Sequence, residues 1–178
     1  RKNRSLRTNL MSILTPLNLK GWIDEHRHLL KPPVGNQQVW KDRDFIVMIV
    51  GGPNARKDYH VNQTEELFYQ VEGDITLKVI ENGVKRDIPI RQGDIFLLPP
   101  GIPHSPQRPA GTVGMVVERQ RDAGMKDYLR FYCEKCGGKV HSRRGLLCPE
   151  CEENEDMKKC ATEGCKGDPQ TGDSYDGF

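Results

Sequence analysis

The strongest constraint on the fold is a succession of short β-type runs, separated by turn residues, between residues 35 and 119. The runs are rich in Val, Ile, Leu and Phe, which favour a pleated and half-buried backbone. Asn82-Gly83, placed between two such runs, is typical of a two-residue hairpin turn. Many short strands with turns about every 8–12 residues indicate an all-β chain folded as an antiparallel sandwich or a small barrel. The predicted strands are 38–40, 45–50, 67–71, 75–80, 86–90, 95–98 and 113–118.

A helix is predicted ahead of the strands. Asn18 can accept hydrogen bonds from the first turn as an N-cap, and Pro32-Pro33 would end the helix. Between these positions, apolar side chains recur at helical spacing. The stripe consists of Trp22, Ile23, Leu29 and Leu30, with His26 on the same face.

The composition limits the chain to one ordinary domain with a small appendage. It has 178 residues, and its 27 basic and 25 acidic side chains give a formal net charge of only +2. The net charge is therefore too small to produce a strong electrostatic field that would attract nucleic acid or a membrane surface. No apolar run approaches the roughly 20 residues needed to span a bilayer. Neither nucleic acid nor a membrane is predicted as a partner.

Shifts in composition predict four segments. Residues 1–11 are mostly basic, and we interpret them as a leader, either expression-derived or read-through sequence rather than a short Arg-rich transit peptide. The β-type domain would span residues 12–127, of which 121–127 read as a linker. A Cys-rich appendage would span residues 128–166, and the Gly/Asp/Ser-rich residues 167–178 are predicted to be disordered.

Three side chains in the central stretch form a candidate metal centre. His60, Glu66 and His104 are two imidazoles and one carboxylate, the ligand set that holds a non-haem Fe(II) on one face and leaves positions open for substrate and oxygen. Arg56 and Arg108 are close to these ligands in sequence, and their planar guanidinium groups suit a carboxylate or a developing anion. Alternatively, the histidines are packed or surface residues and the arginines are solvated charges. We interpret the stretch as an iron site that binds an acidic substrate.

The spacing around these ligands resembles the two motifs of the cupin superfamily. In the first motif, Glu66 is followed after six residues by Gly73. The second ends with His104 and Arg108, where Arg108 replaces the usual Asn. Asn62 stands where the first motif usually has a second histidine, so three protein ligands are available instead of four. The resemblance implies a double-stranded β-sandwich (jelly roll), and the missing ligand leaves one more position for a chelating substrate and O2.

Longer stretches resemble the 3-hydroxyanthranilate 3,4-dioxygenase family over residues 12–136. This resemblance implies that the three candidate ligands hold Fe(II). It places Glu66, Arg108 and Glu118 against the substrate and Arg56 near O2, with Arg56 and Glu118 as the catalytic side chains. The matching stretches are Leu29-Leu30-Lys31-Pro32-Pro33-Val34, Gly51-Gly52-Pro53-Asn54-Ala55-Arg56-Lys57-Asp58-Tyr59-His60, Glu65-Glu66-Leu67-Phe68-Tyr69-Gln70, Ile95-Phe96-Leu97-Leu98-Pro99, His104-Ser105-Pro106-Gln107-Arg108 and Val116-Val117-Glu118-Arg119.

All six cysteines follow residue 130 and fall in three close pairs. This spacing favours a metal knuckle in a reducing compartment over a secreted disulfide framework. Four thiolates on two turns would form a closed structural site for Zn or Fe, and free thiols on a frayed tail are the alternative. Spacing favours the first two pairs as ligands, whereas the family resemblance offers the third pair as the partner of the first. The favoured ligands are Cys133, Cys136, Cys148 and Cys151, and the alternative second pair is Cys160 and Cys165.

The activity implied by the resemblance is ring-opening dioxygenation of 3-hydroxyanthranilate, a small aromatic acid, to 2-amino-3-carboxymuconate semialdehyde. A ring with adjacent hydroxyl and amino groups can chelate iron through both, and coordination lowers the pKa of the hydroxyl. The resemblance also implies a cytoplasmic homodimer in the kynurenine pathway, which leads from tryptophan to quinolinate and NAD. Three alternatives are left open: another cupin dioxygenase, a non-catalytic sensor or carbohydrate-binding module, and a zinc-ribbon adaptor on an inert β-domain.

Overall fold

A computed structural model describes residues 13–32, 35–132 and 139–140. Helix α1 spans Leu19–His26 and continues as a 3-10 turn over Arg27–Leu29. The other regular elements in these ranges are strands. They are β1 (Asn36–Gln38), β2 (Phe45–Gly51), β3 (Asn54–Ala55), β4 (Tyr59–Val61), β5 (Glu66–Glu72), β6 (Ile75–Glu81), β7 (Val84–Ile90), β8 (Ile95–Leu98), β9 (His104–Arg108), β10 (Val113–Arg119), β11 (Tyr128–Tyr132) and β12 (Lys139–Val140).

The strands form two antiparallel sheets that pack face to face. The first sheet has the order β1-β2-β10-β5-β8, and the second has the order β12-β11-β4-β9-β6-β7, with β3 pairing with β9. Apolar side chains from both sheets form one buried cluster, so the architecture is a sandwich whose core lies between the sheets. The buried members of the cluster are Ile46, Met48, Phe68, Ile75, Leu77, Val79, Ile90, Leu98 and Val116.

Helix α1 covers part of the outer face of the first sheet. Asn18 Oδ1 accepts a hydrogen bond from the Gly21 N–H at 2.8 Å, which satisfies one free donor at the start of the helix. Ile23, 1% exposed, packs with Ile49 and Val113, which alternate along β2 and β10 with the residues that face the core. The helix therefore buries an apolar patch that the sheet would otherwise expose.

The predicted all-β sandwich and its N-terminal helix are confirmed. Six of the seven predicted strands are present with similar bounds, whereas β1 (Asn36–Gln38) shares only Gln38 with the predicted strand 38–40. The helix is shorter than predicted, because its last turn tightens into the 3-10 segment. Asn82 and Gly83 have φ values of 51° and 80° and join β6 to β7, as a hairpin turn of this sequence requires.

Five short strands were not predicted: β3, β4, β9, β11 and β12. Most are too short to show alternation, and β9 contains Pro106, which normally argues against a strand. Strand β11 follows the predicted boundary at residue 127 but pairs with β4, so the second sheet continues beyond that boundary. The predicted leader, the six cysteines and the predicted disordered tail lie outside the described residues.

Candidate metal centre and active site

The two candidate histidine ligands are cross-strand neighbours in the second sheet. His60 on β4 is in register with His104 on β9, and the centroids of their rings are 5.1 Å apart. Glu66 begins β5 in the first sheet, and its Oε2 lies 2.9 Å from His104 Nε2 and 4.0 Å from His60 Nδ1. One donor atom from each residue lies within 4.8 Å of the others, and all three residues are buried. The structure thus brings the predicted ligand set together at one point between the sheets.

Hydrogen bonds determine which ring nitrogen each histidine directs to this point. His104 Nδ1 donates to the carbonyl oxygen of Ile102 at 3.0 Å, so Nε2 faces Glu66. His60 Nε2 donates to Asp127 Oδ2 at 2.9 Å, and Nδ1 is the nitrogen that faces Glu66. The two rings therefore offer different nitrogens to the same centre, each held by a hydrogen bond on its far side.

Glu66 is held in its ionised form by its neighbours. Burial alone would raise the pKa of Glu66, but the charge and hydrogen bond of His104, with a smaller contribution from His60, lower it. Burial would likewise lower the pKa of His104, but Glu66 outweighs that effect and raises it. Asn62 Nδ2 also donates to Glu66 Oε2 at 3.2 Å. The residue that replaces the second cupin histidine therefore contacts the carboxylate ligand.

Glu118 on β10 lies directly opposite Glu66 in the ladder of the first sheet. Carboxylates in facing positions repel one another, and burial together with Glu66 raises the pKa of Glu118. Arg121 opposes this effect, because its Nη2 donates to Glu118 Oε2 at 2.5 Å. The histidines therefore offset the negative charge of Glu66, and Arg121 offsets part of the negative charge of Glu118.

Arg108 is a buried guanidinium, 4% exposed, with no carboxylate ion pair among the described residues. Burial lowers the pKa of Arg108 to about 10, so the group is still cationic near neutral pH. A buried cation without a counterion is costly, and an anionic ligand would relieve that cost. Arg108 is therefore the clearest anion-binding group at the site.

The position of Arg108 depends on Gln70 and Gly114. Gln70 Oε1 lies 3.4 Å from Arg108 Nη1, while its Nε2 donates to the carbonyl oxygens of Glu72 and Val113 at 2.9 and 3.2 Å. The amide is thus oriented with its oxygen towards the guanidinium. A Cβ at Gly114 would lie 2.8 Å from both Arg108 Nη1 and Gln70 Oε1, so a larger residue there would displace the ends of these two side chains.

Arg56 already has a partner. Its Nε donates to Asp58 Oδ2 at 3.1 Å, its Nη2 contacts the same oxygen more closely, and its side chain is 31% exposed. The backbone carbonyl of Arg56 accepts from Gln107 Nε2 at 2.9 Å, which attaches this loop to β9. The guanidinium lies at the site but is more accessible and better neutralised than that of Arg108.

A cavity of about 550 Å³ is lined by all the predicted site residues of the β-domain. Its size is typical of a site for a small organic molecule. Apolar side chains such as Met48, Phe68 and Val116 form one part of the wall. The ionisable lining consists of Arg56, His60, Glu66, His104, Arg108 and Glu118.

The residues at the centre fit a bound metal ion. Two imidazole nitrogens and one carboxylate oxygen converge within the buried space, and these are the donors that transition metals take once the competing protons are released. Two histidines and one carboxylate with open positions are typical of non-haem Fe(II) oxygenases. Because the ligands come from both sheets, an ion here would join the two layers of the sandwich.

The 3-hydroxyanthranilic acid dioxygenase family matches residues 11–158. The chain belongs to this family. Relatives named 3-hydroxyanthranilate 3,4-dioxygenase are similar over most of their length. The Ruegeria pomeroyi protein is 55% identical over 138 residues, which are 77% of each chain. The Xanthomonas euvesicatoria protein is 56% identical over 129 residues, 72% of this chain and 73% of the relative.

Among solved structures, a cupin-2 domain containing protein from Shewanella frigidimarina is similar to this member of the 3-hydroxyanthranilic acid dioxygenase family. It is 16% identical, covers 55% of this chain and 91% of its own, and gives a TM-score of 0.46. Of the described helices of this family member, none is both long and apolar enough to cross a membrane.

Sequence reasoning missed the residues that support the site in this family member. Asp127 and Arg121 lie in the segment interpreted as a linker, yet Asp127 is 2% exposed and hydrogen-bonded to His60. Gln70 lies in a stretch that resembles the family, but the sequence pattern predicts no role for it. A ligand histidine is expected to need an acceptor for its second nitrogen. That expectation signals that an acceptor exists but does not identify which of the many acids provides it.

Proposed function

We propose that this chain is an Fe(II)-dependent dioxygenase that converts 3-hydroxyanthranilate and O2 to 2-amino-3-carboxymuconate semialdehyde. Membership of the 3-hydroxyanthranilic acid dioxygenase family and the names of its relatives support this activity. The reaction would belong to the kynurenine route from tryptophan to quinolinate and NAD. In the structure, the single observation that carries the proposal is a buried Arg108 in the same cavity as a complete two-histidine, one-carboxylate centre.

The substrate carboxylate would be bound by Arg108. A guanidinium can donate two parallel hydrogen bonds to a carboxylate, and the buried position of Arg108 strengthens them. Gln70 Oε1 accepts from the guanidinium at 3.4 Å, so part of the side-chain entropy of Arg108 is already lost before the substrate binds. Met48, Phe68 and Val116 would pack against the aromatic ring and exclude water. Together these contacts would direct the hydroxyl and amino groups of the ring towards the histidines.

Fe(II) held by His60, Glu66 and His104 would supply a Lewis acid and an electron donor for O2, with open positions for both reactants. Glu118, with its raised pKa, is placed to accept a hydrogen bond or the proton released from the substrate hydroxyl. Arg56 lines the same cavity and would stabilise negative charge that develops on oxygen. Both oxygen atoms enter the product as the carbon–carbon bond next to the hydroxyl-bearing carbon breaks, so no external reductant is needed.

The proposal is tested by loading the apoprotein with Fe(II) under nitrogen and adding 3-hydroxyanthranilate in oxygenated buffer. We expect the absorbance of the semialdehyde to rise while one O2 is consumed for each substrate. 2-Aminophenol keeps the chelating pair but lacks the carboxylate, so it should react far more slowly. Iron-loaded protein that leaves 3-hydroxyanthranilate intact would contradict the proposed function. Faster reaction of 2-aminophenol than of the acid would contradict the role of Arg108.

We further propose a homodimer, a cytoplasmic location and a second, structural metal site at the cysteines. Exposed apolar side chains on β2 and β8, at separate positions on the first sheet, support an interface with a second copy, because association would remove them from water. Light scattering would give the mass of the assembly in solution, and metal analysis would show whether a Cys133→Ser variant loses one equivalent of Zn or Fe. The exposed side chains are Phe45, Ile95 and Leu97.

A further inference from the structure

We propose that Asp127 and Arg121 form a positioning unit that fixes the orientation of His60 towards the metal and holds Glu118 at the substrate. Nothing in the sequence patterns marked either residue, and both lie outside the ligand set. The inference rests on the proposed metal-dependent function. Asp127 would act through His60, and Arg121 through Asp127 and Glu118.

The contact between Asp127 and His60 determines which tautomer the ring adopts. A carboxylate can only accept, so His60 Nε2 carries the proton across the 2.9 Å hydrogen bond to Asp127 Oδ2. His60 Nδ1 then presents its lone pair to the centre, 4.0 Å from Glu66 Oε2. A metal ligand must offer a lone pair, and a partner on the opposite nitrogen also raises its basicity. Asp127 is placed to select the binding-competent form of this ligand.

Arg121 holds Asp127 in this position with two hydrogen bonds. Its Nε donates to Asp127 Oδ1 and its Nη2 donates to Oδ2, both at 2.7 Å. Both oxygens of the carboxylate therefore have a donor, and Oδ2 has His60 as a second one. This bidentate pair fixes the plane of the carboxylate, which in turn fixes the imidazole.

The same guanidinium extends the unit to the substrate side of the cavity. Arg121 Nη2 also donates to Glu118 Oε2 at 2.5 Å, and Nη1 donates to the backbone carbonyl of Arg119 at 2.6 Å. One cation thus links a carboxylate in the lining of the cavity with a carboxylate behind a metal ligand. Because Glu118 also faces Glu66 across the ladder, the positive charge of Arg121 offsets part of the repulsion between the two acids.

A purely structural ion pair would not need this geometry. Burying two charges adds little net stability, so a salt bridge beneath a loop is weak evidence for a stabilising role. Here each end of the pair is hydrogen-bonded to a residue that lines the cavity, His60 at one end and Glu118 at the other. The segment between β10 and β11 thereby connects both halves of the site.

The first test measures the affinity for Mn(II) in Asp127→Asn, followed through the electron paramagnetic resonance signal of the free ion. Mn(II) prefers oxygen and nitrogen donors, so the cysteine thiolates do not interfere. The amide has the shape of the acid, but with its oxygen held by Arg121 it turns an N–H towards His60 and favours the wrong tautomer. We expect affinity to fall about 10- to 100-fold. Asp122→Asn, an exposed carboxylate paired with Arg119, should bind Mn(II) like the wild type.

The second test addresses Arg121. Arg121→Gln removes the cation shared by Asp127 and Glu118, and we expect the anaerobic dissociation constant of 3-hydroxyanthranilate to rise about tenfold, as for the loss of one hydrogen bond to a charged group. Arg119→Gln is the matched control, because Arg119 is 49% exposed and pairs only with Asp122 among the described residues. Equal substrate affinity in the Arg121 variant and the control would overturn the link to Glu118.

The failure of this inference can be told apart from failure of the proposed function. Wild-type protein that binds no Mn(II) or Fe(II) overturns the proposed function and the positioning role with it. Wild-type affinity in a folded Asp127→Asn variant overturns the positioning role alone. If that variant does not fold, nitrogen chemical shifts of His60 in the wild-type apoprotein decide the question. A proton on Nε2 supports the inference, and a proton on Nδ1 overturns it.

Discussion

The cavity between the sheets is lined by buried charged side chains. The junction beneath α1, where Ile23 and Leu30 pack against Ile49 and Val113 of the first sheet, is also buried but is apolar. The cavity contains Glu66, Glu118 and Arg108, each less than 7% exposed. At the junction, Ile23 packs with Ile49, and charge appears only at its rim, where Arg27 and Glu72 form an exposed pair. One region concentrates buried charge and the other excludes it.

The difference separates what the two regions do for the protein. Burying ionisable groups is unfavourable even when they are paired, so the charged cavity lowers the stability of the folded protein. Apolar burial elsewhere in the fold must offset this loss. Burying apolar surface is favourable by about 25 cal/mol per Å². Substitutions in the cavity should therefore reduce function more than stability, and substitutions at the junction should do the reverse.

The largest effect is expected from His104→Ala, which removes a ligand from the centre. Metal binding should be lost, and turnover should fall by at least about a thousandfold, since the metal supplies several kcal/mol and each 1.4 kcal/mol is a factor of ten. The fold should survive, because the substitution leaves the apolar core between the sheets intact. Circular dichroism of the apoprotein would show this. His28→Ala, an exposed histidine, is the control. An active His104→Ala enzyme would exclude this residue as a ligand.

The next effect is expected from Arg108→Met, which replaces the buried cation with an apolar chain of similar length. Losing the charged pair with the substrate should cost about 3 kcal/mol, or roughly a hundredfold in kcat/KM, with most of the change in KM. The free energy of unfolding should stay constant or rise, because an uncompensated buried charge is removed. Arg86→Met, on an exposed part of β7, is the matched control. A marked loss of stability in the Arg108 variant would break the contrast between the two regions.

Ile23→Ala tests the other region. Truncating a fully buried side chain in a packed cluster should lower the free energy of unfolding by about 2–5 kcal/mol, measured by urea titration. The kcat/KM of the protein that remains folded should be unchanged, because α1 does not line the cavity. Ile13→Ala is the control, since Ile13 is 97% exposed. An Ile23 variant with normal stability but weak activity would reverse the assignment of roles.

The smallest effect is expected from Glu72→Gln at the rim of the junction. The hydrogen bond from Arg27 lowers the pKa of Glu72, so this pair stabilises the folded chain above the ordinary carboxyl pKa and stops doing so as the pH falls through the lowered value. Because the pair is partly exposed, the loss at pH 7 should be below about 1 kcal/mol. The free energies of unfolding of the variant and the wild type should converge in urea titrations as the pH falls below the lowered pKa of Glu72, and about 1 M salt should narrow the difference at pH 7. A gap that persists at low pH would show that the glutamate acts through packing.

The sequence was sufficient for the strands with clear turns and for the ligand set, but not for the groups that support it. Burial alternates over five or six successive residues in β5, β6 and β10, and Asn82-Gly83 leaves little freedom in the turn, so these elements can be predicted from local sequence. The short β4 depends on its neighbours for its hydrogen bonds, and β9 contains a proline. Their pairing is a tertiary effect that periodicity cannot reveal.

Within the site, too, some residues can be recognised from sequence spacing and others only from tertiary contacts. His60, Glu66 and His104 occur at spacings that resemble a known motif, so the resemblance identified them before their geometry was known. Asp127 has no such spacing, and its role follows only from β11 pairing with β4, which brings the end of the preceding loop behind His60. The six cysteines lie outside the described residues, so their predicted metal site is still a prediction.

The register of His60 against His104 has a consequence for how the protein matures. Two strands that are distant in the chain must align on a single rung before both rings can point to one place, and a slip of one residue would turn one ring to the opposite face. Newly made polypeptide would therefore be unable to capture its metal until the sandwich has closed correctly. Uptake of the ion would then report correct folding, and chains with misaligned strands would stay empty.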